Sequence, residues 1–231
     1  VSDRLPAGAR TGLTLAASLA AAVAIGTLTV APDRPALVWV AKPLATLLLL
    51  LLAATTRRAL SSRYRGLITL GLAASLAGDV WLMLPDDRFL AGLASFFVAH
   101  VAYLAAFTSR APLLRHRSGV VGYAAVATVV LALVLPAVGG SLRTAIVGYV
   151  VIIAFMAAQA TSWLLDEPAS RAARLAAVGA SLFVASDALL ALDRFVFTIP
   201  ARDLLVLAPY WAAQACLAWS VQEPPPPALR L

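Results

Sequence analysis

Eight apolar runs, each 18 to 25 residues long, fill most of this 231-residue chain, and nothing else in it constrains the fold as strongly. Charges bound the runs at 11–32, 35–56, 66–85, 89–109, 118–142, 144–165, 175–192 and 204–222, and the charges inside them are Lys42, Asp79 and Asp187. A helix needs about 20 consecutive apolar residues to cross the hydrocarbon core of a bilayer. Strands of a membrane barrel would be about 10 residues long with alternating polarity, and these runs do not alternate. With 62% hydrophobic and 13% charged residues, the chain cannot clothe a water-soluble core of this size. A soluble enzyme with one anchor, a repeat solenoid and a disordered chain are therefore excluded. The runs predict an all-α, polytopic membrane protein with a single transmembrane domain over 1–231. Its eight helices are expected at about 11–32, 35–56, 66–85, 89–109, 118–138, 142–165, 174–192 and 203–222.

Orientation is read from the arginines. With the N-terminus inside, twelve of them fall on cytoplasmic pieces and five (Arg34, Arg88, Arg143, Arg194, Arg202) on outer loops. That asymmetry predicts both termini cytoplasmic and a multi-pass place in the cell membrane. The arginines sit in short blocks between apolar runs, so the net charge of +7 marks topology and lipid headgroups rather than nucleic acid. Gly12–Ala31 is long enough to span, so no cleaved leader is expected, and Pro224–Pro227 predict a stiff cytoplasmic end. Cys216 has no partner for a disulfide, and His100 and His116 are the only histidines, so neither a metal nor a cofactor is expected.

Carboxylates deep in apolar helices cost roughly 2.5–3.5 kcal/mol, so Asp79 and Asp187 demand a pairing or a function. Both lie five residues before the last apolar residue of their runs, roughly 7–8 Å below the outer helix ends. Gly71, Ser75 and Gly78 share a face with Asp79, a small-residue stripe suited to close packing. Ala74–Asp79 and Ser181–Asp187 resemble each other, which hints at two four-helix halves. Lys42, beside Pro43, either snorkels to the interface, pairs with an aspartate or holds a phosphate, and Pro43 predicts a kink or local opening of the second helix. His100 lies mid-helix with Phe96, Tyr103 and Phe107 on its face; Tyr210 and Gln214 are one turn apart on the last helix; Gln159 shares a face with Tyr149 and Met156. For each of these, interhelical hydrogen bonding is the plain alternative to chemistry. His116, between Arg115 and Arg117, reads as solvated. No Gly-x-Ser-x-Gly elbow and no His-Glu-x-x-His motif occurs, so an acyl-serine route has no support while carboxyl acid catalysis does.

Several stretches resemble the YhhN-type lysoplasmalogenase family: Ser75–Leu84 with Gly78-Asp79, Phe89–Leu93, Phe96–Tyr103 with Ala99-His100 and Tyr103, Lys42-Pro43-Leu44, Gly179–Asp187, and Tyr210–Gln214. The resemblance implies an integral membrane ether hydrolase whose substrate is a lysophospholipid held within the bilayer. It would cleave the sn-1 vinyl ether of a lysoplasmalogen with water, giving a fatty aldehyde and glycerophospho-choline or -ethanolamine. It also implies Asp79, Asp187 and His100 as catalytic residues and Lys42, Tyr103, Tyr210 and Gln214 as substrate-binding ones. The chemistry suits carboxyls: a vinyl ether opens when an acid protonates its β-carbon, and a second carboxylate steadies the oxocarbenium ion and positions water, as in glycoside cleavage. Either aspartate could be the acid. A proton-coupled transporter or lipid carrier could use the same intramembrane polar residues, and a non-catalytic scaffold is the third reading, which the short loops disfavour.

Overall fold

The computed structural model describes residues 7–31 and 35–222. They form α1 (Ala7–Val30), α2 (Pro35–Ala54), α3 (Ser62–Met83), α4 (Phe89–Thr108), α5 (Arg117–Val134), α6 (Gly140–Asp166), α7 (Arg171–Phe195) and α8 (Arg202–Ser220). A single 3-10 turn, Leu135–Ala137, joins α5 to α6 where Pro136 ends the longer helix. The expected end of the first helix at residue 32, the loop cation Arg34 and the tail beyond Gln222 lie outside the described residues. Helices α1 to α7 are each long and apolar enough to cross a membrane, and the chain is a multi-pass membrane protein. Charges at Arg202 and Asp203 and inward-facing Tyr210, Gln214 and Ser220 dilute the hydropathy of α8.

Helix ends depart from the expected ones where caps decide. Ser61 accepts a hydrogen bond from the Tyr64 amide at 3.0 Å, so α3 starts at Ser62, with Arg63 and Arg65 riding on its first turn. Ser170 caps α7 in the same way, and that helix continues past residue 192 through Asp193 and Arg194 to Phe195. The extension corrects the expectation of equal depth: Asp79 lies about 6 Å and Asp187 about 12 Å from the ends of their helices at 1.5 Å per residue. The opening expected at Pro43 is also corrected, because α2 is continuous through it. Proline lacks only its own N–H, and in a membrane bundle neighbouring helices and side chains compensate.

Alanines stand at many of the helix contacts, between large buried side chains such as Trp163, Tyr64 and Phe183, and other large apolar residues face out. Ala24, Ala45, Ala99, Ala106, Ala160 and Ala213 are fully buried, whereas Leu15, Leu19, Val121 and Val129 are exposed. Lipid offers no hydrophobic drive between helices, so association rests on close approach, which small side chains permit. Glycines of α3 mark the tightest approach: a Cβ on Gly71 would sit 2.1 Å from the Tyr103 ring, and one on Gly78 would sit 2.6 Å from Phe96. In this way α3 beds onto α4, α7 beds onto α8, and α8 closes the bundle against α1 and α2. Trp219 of α8 donates to Thr14 of α1 at 3.2 Å beneath the Arg10 guanidinium, so the described chain starts and finishes at one end of the bundle. At the other end Arg194 holds both oxygens of Asp87, at 2.8 and 2.9 Å, tying α7 to the α3–α4 turn.

Candidate active site

That second end contains a chamber of about 590 Å3. Its floor carries Lys42 from α2, Asp79 from α3, Asp187 from α7 and Tyr210 from α8; its mouth carries Asp193, Arg194, Arg202 and Asp203. Asp193 organises that rim, accepting from the Ile199 amide at 2.9 Å and pairing with Arg202 at 3.0 Å. The two aspartates suggested by the sequence therefore face a common space.

Asp79 is almost wholly buried and gripped from two helices. Its Oδ2 accepts hydrogen bonds from Thr46 and from Tyr210, both at 2.7 Å, while Oδ1 faces the Lys42 ammonium at 3.7 Å. Lys42 and Thr46 are four residues apart, so one face of α2 presents both. Trp211 donates to the Thr46 hydroxyl at 3.2 Å and fixes that side. Behind Tyr210, Gln214 donates to its oxygen at 3.0 Å and accepts from Tyr103 at 3.0 Å; Tyr103 lies 3.4 Å from Ser75. Since Tyr103 gives its one hydroxyl proton to Gln214, Ser75 is the donor in that last contact. The donors thus run in one direction, Ser75 to Tyr103 to Gln214 to Tyr210, and end on Asp79.

Asp187 is held from the other side. The Tyr149 hydroxyl of α6 donates to its Oδ2, and His100 Nε2 lies 2.9 Å from that hydroxyl and 3.4 Å from Oδ2. The His100 ring is fully buried and packs edge-on against Tyr149 and Phe183. With the Tyr149 proton committed to Asp187, Nε2 carries a hydrogen and donates to the hydroxyl oxygen; Nδ1 has no hydrogen-bond partner. The Asp187 side chain keeps 16% exposure against 2% for Asp79, so it is the more accessible acid.

Of the residues singled out from the sequence, Lys42, Asp79, Asp187 and Tyr210 line the chamber. His100, Tyr103 and Gln214 are fully buried behind its wall and reach it through Tyr149 and Tyr210. The snorkelling reading of Lys42 gives way to an ion pair. Gln159 serves elsewhere, clasping the α4–α5 loop through the Leu114 amide at 2.6 Å and the Ala111 carbonyl at 3.0 Å. His116 is not merely solvated, since its Nε2 lies 2.9 Å from Asp166. Thr46 is the site residue that sequence reasoning passed over, and Tyr149 enters that reasoning only as a face-mate of Gln159, without a role at the aspartates. Thr46 could have been found one turn from Lys42, and Tyr149 as a hydroxyl in the middle of an apolar run. Among the described residues, no three histidine, cysteine or acidic side chains converge as a metal would need.

Comparison with known proteins bears on this arrangement. Lysoplasmalogenase TMEM86A of Bos taurus is 36% identical over 159 residues, covering 68% of this chain and 65% of that protein. The Homo sapiens protein of the same name is 35% identical over the same coverage. The Escherichia coli O157:H7 protein called uncharacterized membrane protein YhhN is 42% identical over 72 residues, 31% of this chain and 34% of its own. The chain thus spans just under two thirds of the mammalian relatives' length. No solved structure matches. The YhhN family matches residues 37–221, a stretch that includes both aspartates and every side chain that grips them, and the chain belongs to that family.

Proposed function

We propose that this protein hydrolyses the sn-1 vinyl ether of lysoplasmalogens within the membrane, releasing a fatty aldehyde and glycerophospho-choline or -ethanolamine. The observation that carries the reading is the pair of separately gripped carboxylates, Asp79 and Asp187, facing one chamber. The relatives named lysoplasmalogenase support the substrate class. In this reading all eight helices cross the cell membrane, both termini are cytoplasmic, and the chamber opens toward the outer leaflet. The arginine asymmetry and the shared end of α1 and α8 support that placement.

The reaction needs a proton on the β-carbon of the vinyl ether, a negative charge beside the oxocarbenium ion that results, and a water to capture it. Asp187 is the acid: it is the more accessible carboxyl, and the Tyr149 hydroxyl, which itself accepts from His100, holds it in position. Asp79 steadies the cation and orients water, held in place by Thr46, Tyr210 and Lys42. Water adds to the α-carbon to give a hemiacetal and yields its proton to the Asp187 carboxylate, which restores the acid. Collapse then breaks the carbon–oxygen bond, forming the aldehyde and returning the glycerol hydroxyl. Arg194 and Arg202 at the rim face the phosphate. Such paired-carboxyl catalysis parallels glycoside cleavage, where an acid and a charge-stabilising partner flank the scissile bond.

The test is aldehyde release by the purified protein from vinyl-ether lysolipid, with acyl lysolipid as control. Asp79→Asn and Asp187→Asn should each lower turnover by about a thousandfold or more while leaving the detergent-solubilised fold intact. Full activity in both variants would refute the scheme. Binding without turnover, with movement of lipid across vesicles, would favour a carrier.

A further inference from the structure

A second cavity lies beside the chamber, beneath the middle of α5. This narrow slot of about 70 Å3 is bounded by α4, α5, α6 and α7 and is almost wholly apolar, with Ala127, Val130, Ile153, Ala154 and Ala191 among its walls. It shares Leu82, Phe89, Phe96, Asp187 and Leu190 with the chamber, so Asp187 stands on the partition between the chamber, which holds the charged side chains, and an apolar slot. Along α7 the slot extends from Val184 to Phe195, about 16 Å at 1.5 Å per residue, parallel to the helices.

The covering helix is the least buried of the seven candidate spans. Only Gly119 and Val134 of α5 are buried. Gly119 lies against the Ala158 carbonyl, and Val134 packs with Val138 and Ile146, so the helix is pinned near its two ends. Between those pins its inner face, with Val126, Ala127 and Val130, meets the slot, and its outer face, including Val121 and Val129, is exposed. One polar contact joins its middle to α7, the Tyr123 hydroxyl to Ser181 Oγ at 2.7 Å.

We propose that this slot seats the hydrocarbon chain of the substrate, which enters sideways from the bilayer past α5. The inference rests on the hydrolase reading for the identity of the headgroup end. A vinyl ether joins a polar glycerophosphate to an apolar chain, so its reacting carbons fall on the boundary that Asp187 occupies.

Two measurements on the full chain test this. Ala127→Phe and Ala191→Phe each fill the slot, and kcat/KM is read on an eight-carbon and a sixteen-carbon vinyl-ether lysolipid. The long-to-short ratio should fall about tenfold, the cost of roughly two methylenes left unburied; an unchanged ratio in folded variants overturns the proposal. The wild-type protein is also cross-linked in nanodiscs with a non-hydrolysable ether lysolipid that carries a diazirine at the chain end. Adducts should fall within 121–134 or 184–195, and adducts confined to α1, α2 or α8 overturn the proposal. The cross-link decides the matter if the filled variants do not fold. It also separates the two readings: a wild-type protein that labels in the slot but releases no aldehyde retains the chain seat and loses the hydrolase.

Discussion

Tyr149→Phe is the most informative single change, because it removes one oxygen and little else. The phenol ring packs edge-on to His100, with centroids 5.3 Å apart, and phenylalanine keeps that packing. What disappears is the hydroxyl that donates to Asp187 and accepts from His100 at 2.9 Å. The imidazole is then left with the 3.4 Å approach to Asp187, and its Nδ1 already lacks a partner. A hydrogen bond to a charged group contributes about 1.5–3 kcal/mol. If the bond serves the acid during proton transfer, that loss lowers kcat by roughly ten- to 150-fold, at 1.36 kcal/mol per factor of ten. KM should stay within about twofold, because the ring that walls the slot remains. The assay is steady-state aldehyde release, with thermal unfolding in detergent as the fold control. The Asp187→Asn background sharpens it: where the acid is already gone, removing the hydroxyl should cost less than about threefold, a non-additivity expected of groups that act as one unit. A Tyr149→Phe enzyme within threefold of wild type, or an equal loss in both backgrounds, would refute the coupling of Tyr149 to the acid.

Three further outcomes are expected. Lys42→Met should lower kcat about ten- to a hundredfold with little change in KM if the ammonium serves Asp79 at 3.7 Å; a loss confined to KM would assign it to the phosphate instead. Gly71→Ala drives a methyl to 2.1 Å from the Tyr103 ring and should lower the unfolding temperature by several degrees, an overpacking cost of about 1–3 kcal/mol. Gly148→Ala, with nothing within 4 Å of the added methyl, should leave that temperature unchanged. Arg194→Ala combined with Arg202→Ala should raise KM several-fold and weaken its dependence on salt. Stability should change little, since both arginines are a third or more exposed and such ion pairs contribute at most about 1 kcal/mol.

Hydropathy made the bundle legible because lipid leaves a chain few alternatives: backbone groups must pair within each segment, so an apolar run of sufficient length is a helix. Helix ends were less legible because side chains set them. Ser61 and Ser170 cap helices that a charge-bounded reading starts too late, and α7 carries Asp193 and Arg194 within its last turns since both reach the chamber rim. Asp79, Asp187, Lys42 and Tyr210 stood out because a polar group in an apolar run is costly without a purpose. Tyr149 and Thr46 did not, since a hydroxyl is cheap to bury beside a helix carbonyl, as Thr69 and Thr128 illustrate with bonds to residues four back at 2.8 Å. Only the packing of α6 against α4 and α7 separates Tyr149 from such residues. Tyr103 and Gln214 present the converse case. Their residue types suggested contact with substrate, but their burial places them behind Tyr210, where they align a donor.

The two grips also obey a common rule. Asp79 on α3 is held from α2 and α8; Asp187 on α7 is held from α6 and α4. Adding or subtracting four helices converts one set into the other, and the corresponding residues, Asp79 and Asp187, His100 and Tyr210, Lys42 and Tyr149, Tyr103 and Gln214, are separated by 107 to 111 positions. Gly71 and Gly179 each lie eight residues before their aspartate and each meet the neighbouring helix closely, a Cβ there falling 2.1 Å from the Tyr103 ring and 3.0 Å from the Ala213 carbonyl. The bond between Tyr103 and Gln214 joins the two members of one such pair, as a contact at the centre of a two-fold arrangement must. A symmetric frame would give two equivalent acids, which is of no use to a reaction that needs a proton donor and a fixed negative charge. The substitution at the Lys42 and Tyr149 positions breaks the equivalence. An amine, that of Lys42, faces one carboxylate, and a phenol backed by an imidazole faces the other. In the proposed reaction that difference assigns the two roles, and exchanging the residues, with Lys42→Tyr and Tyr149→Lys in one chain, should abolish turnover even though each aspartate keeps a partner.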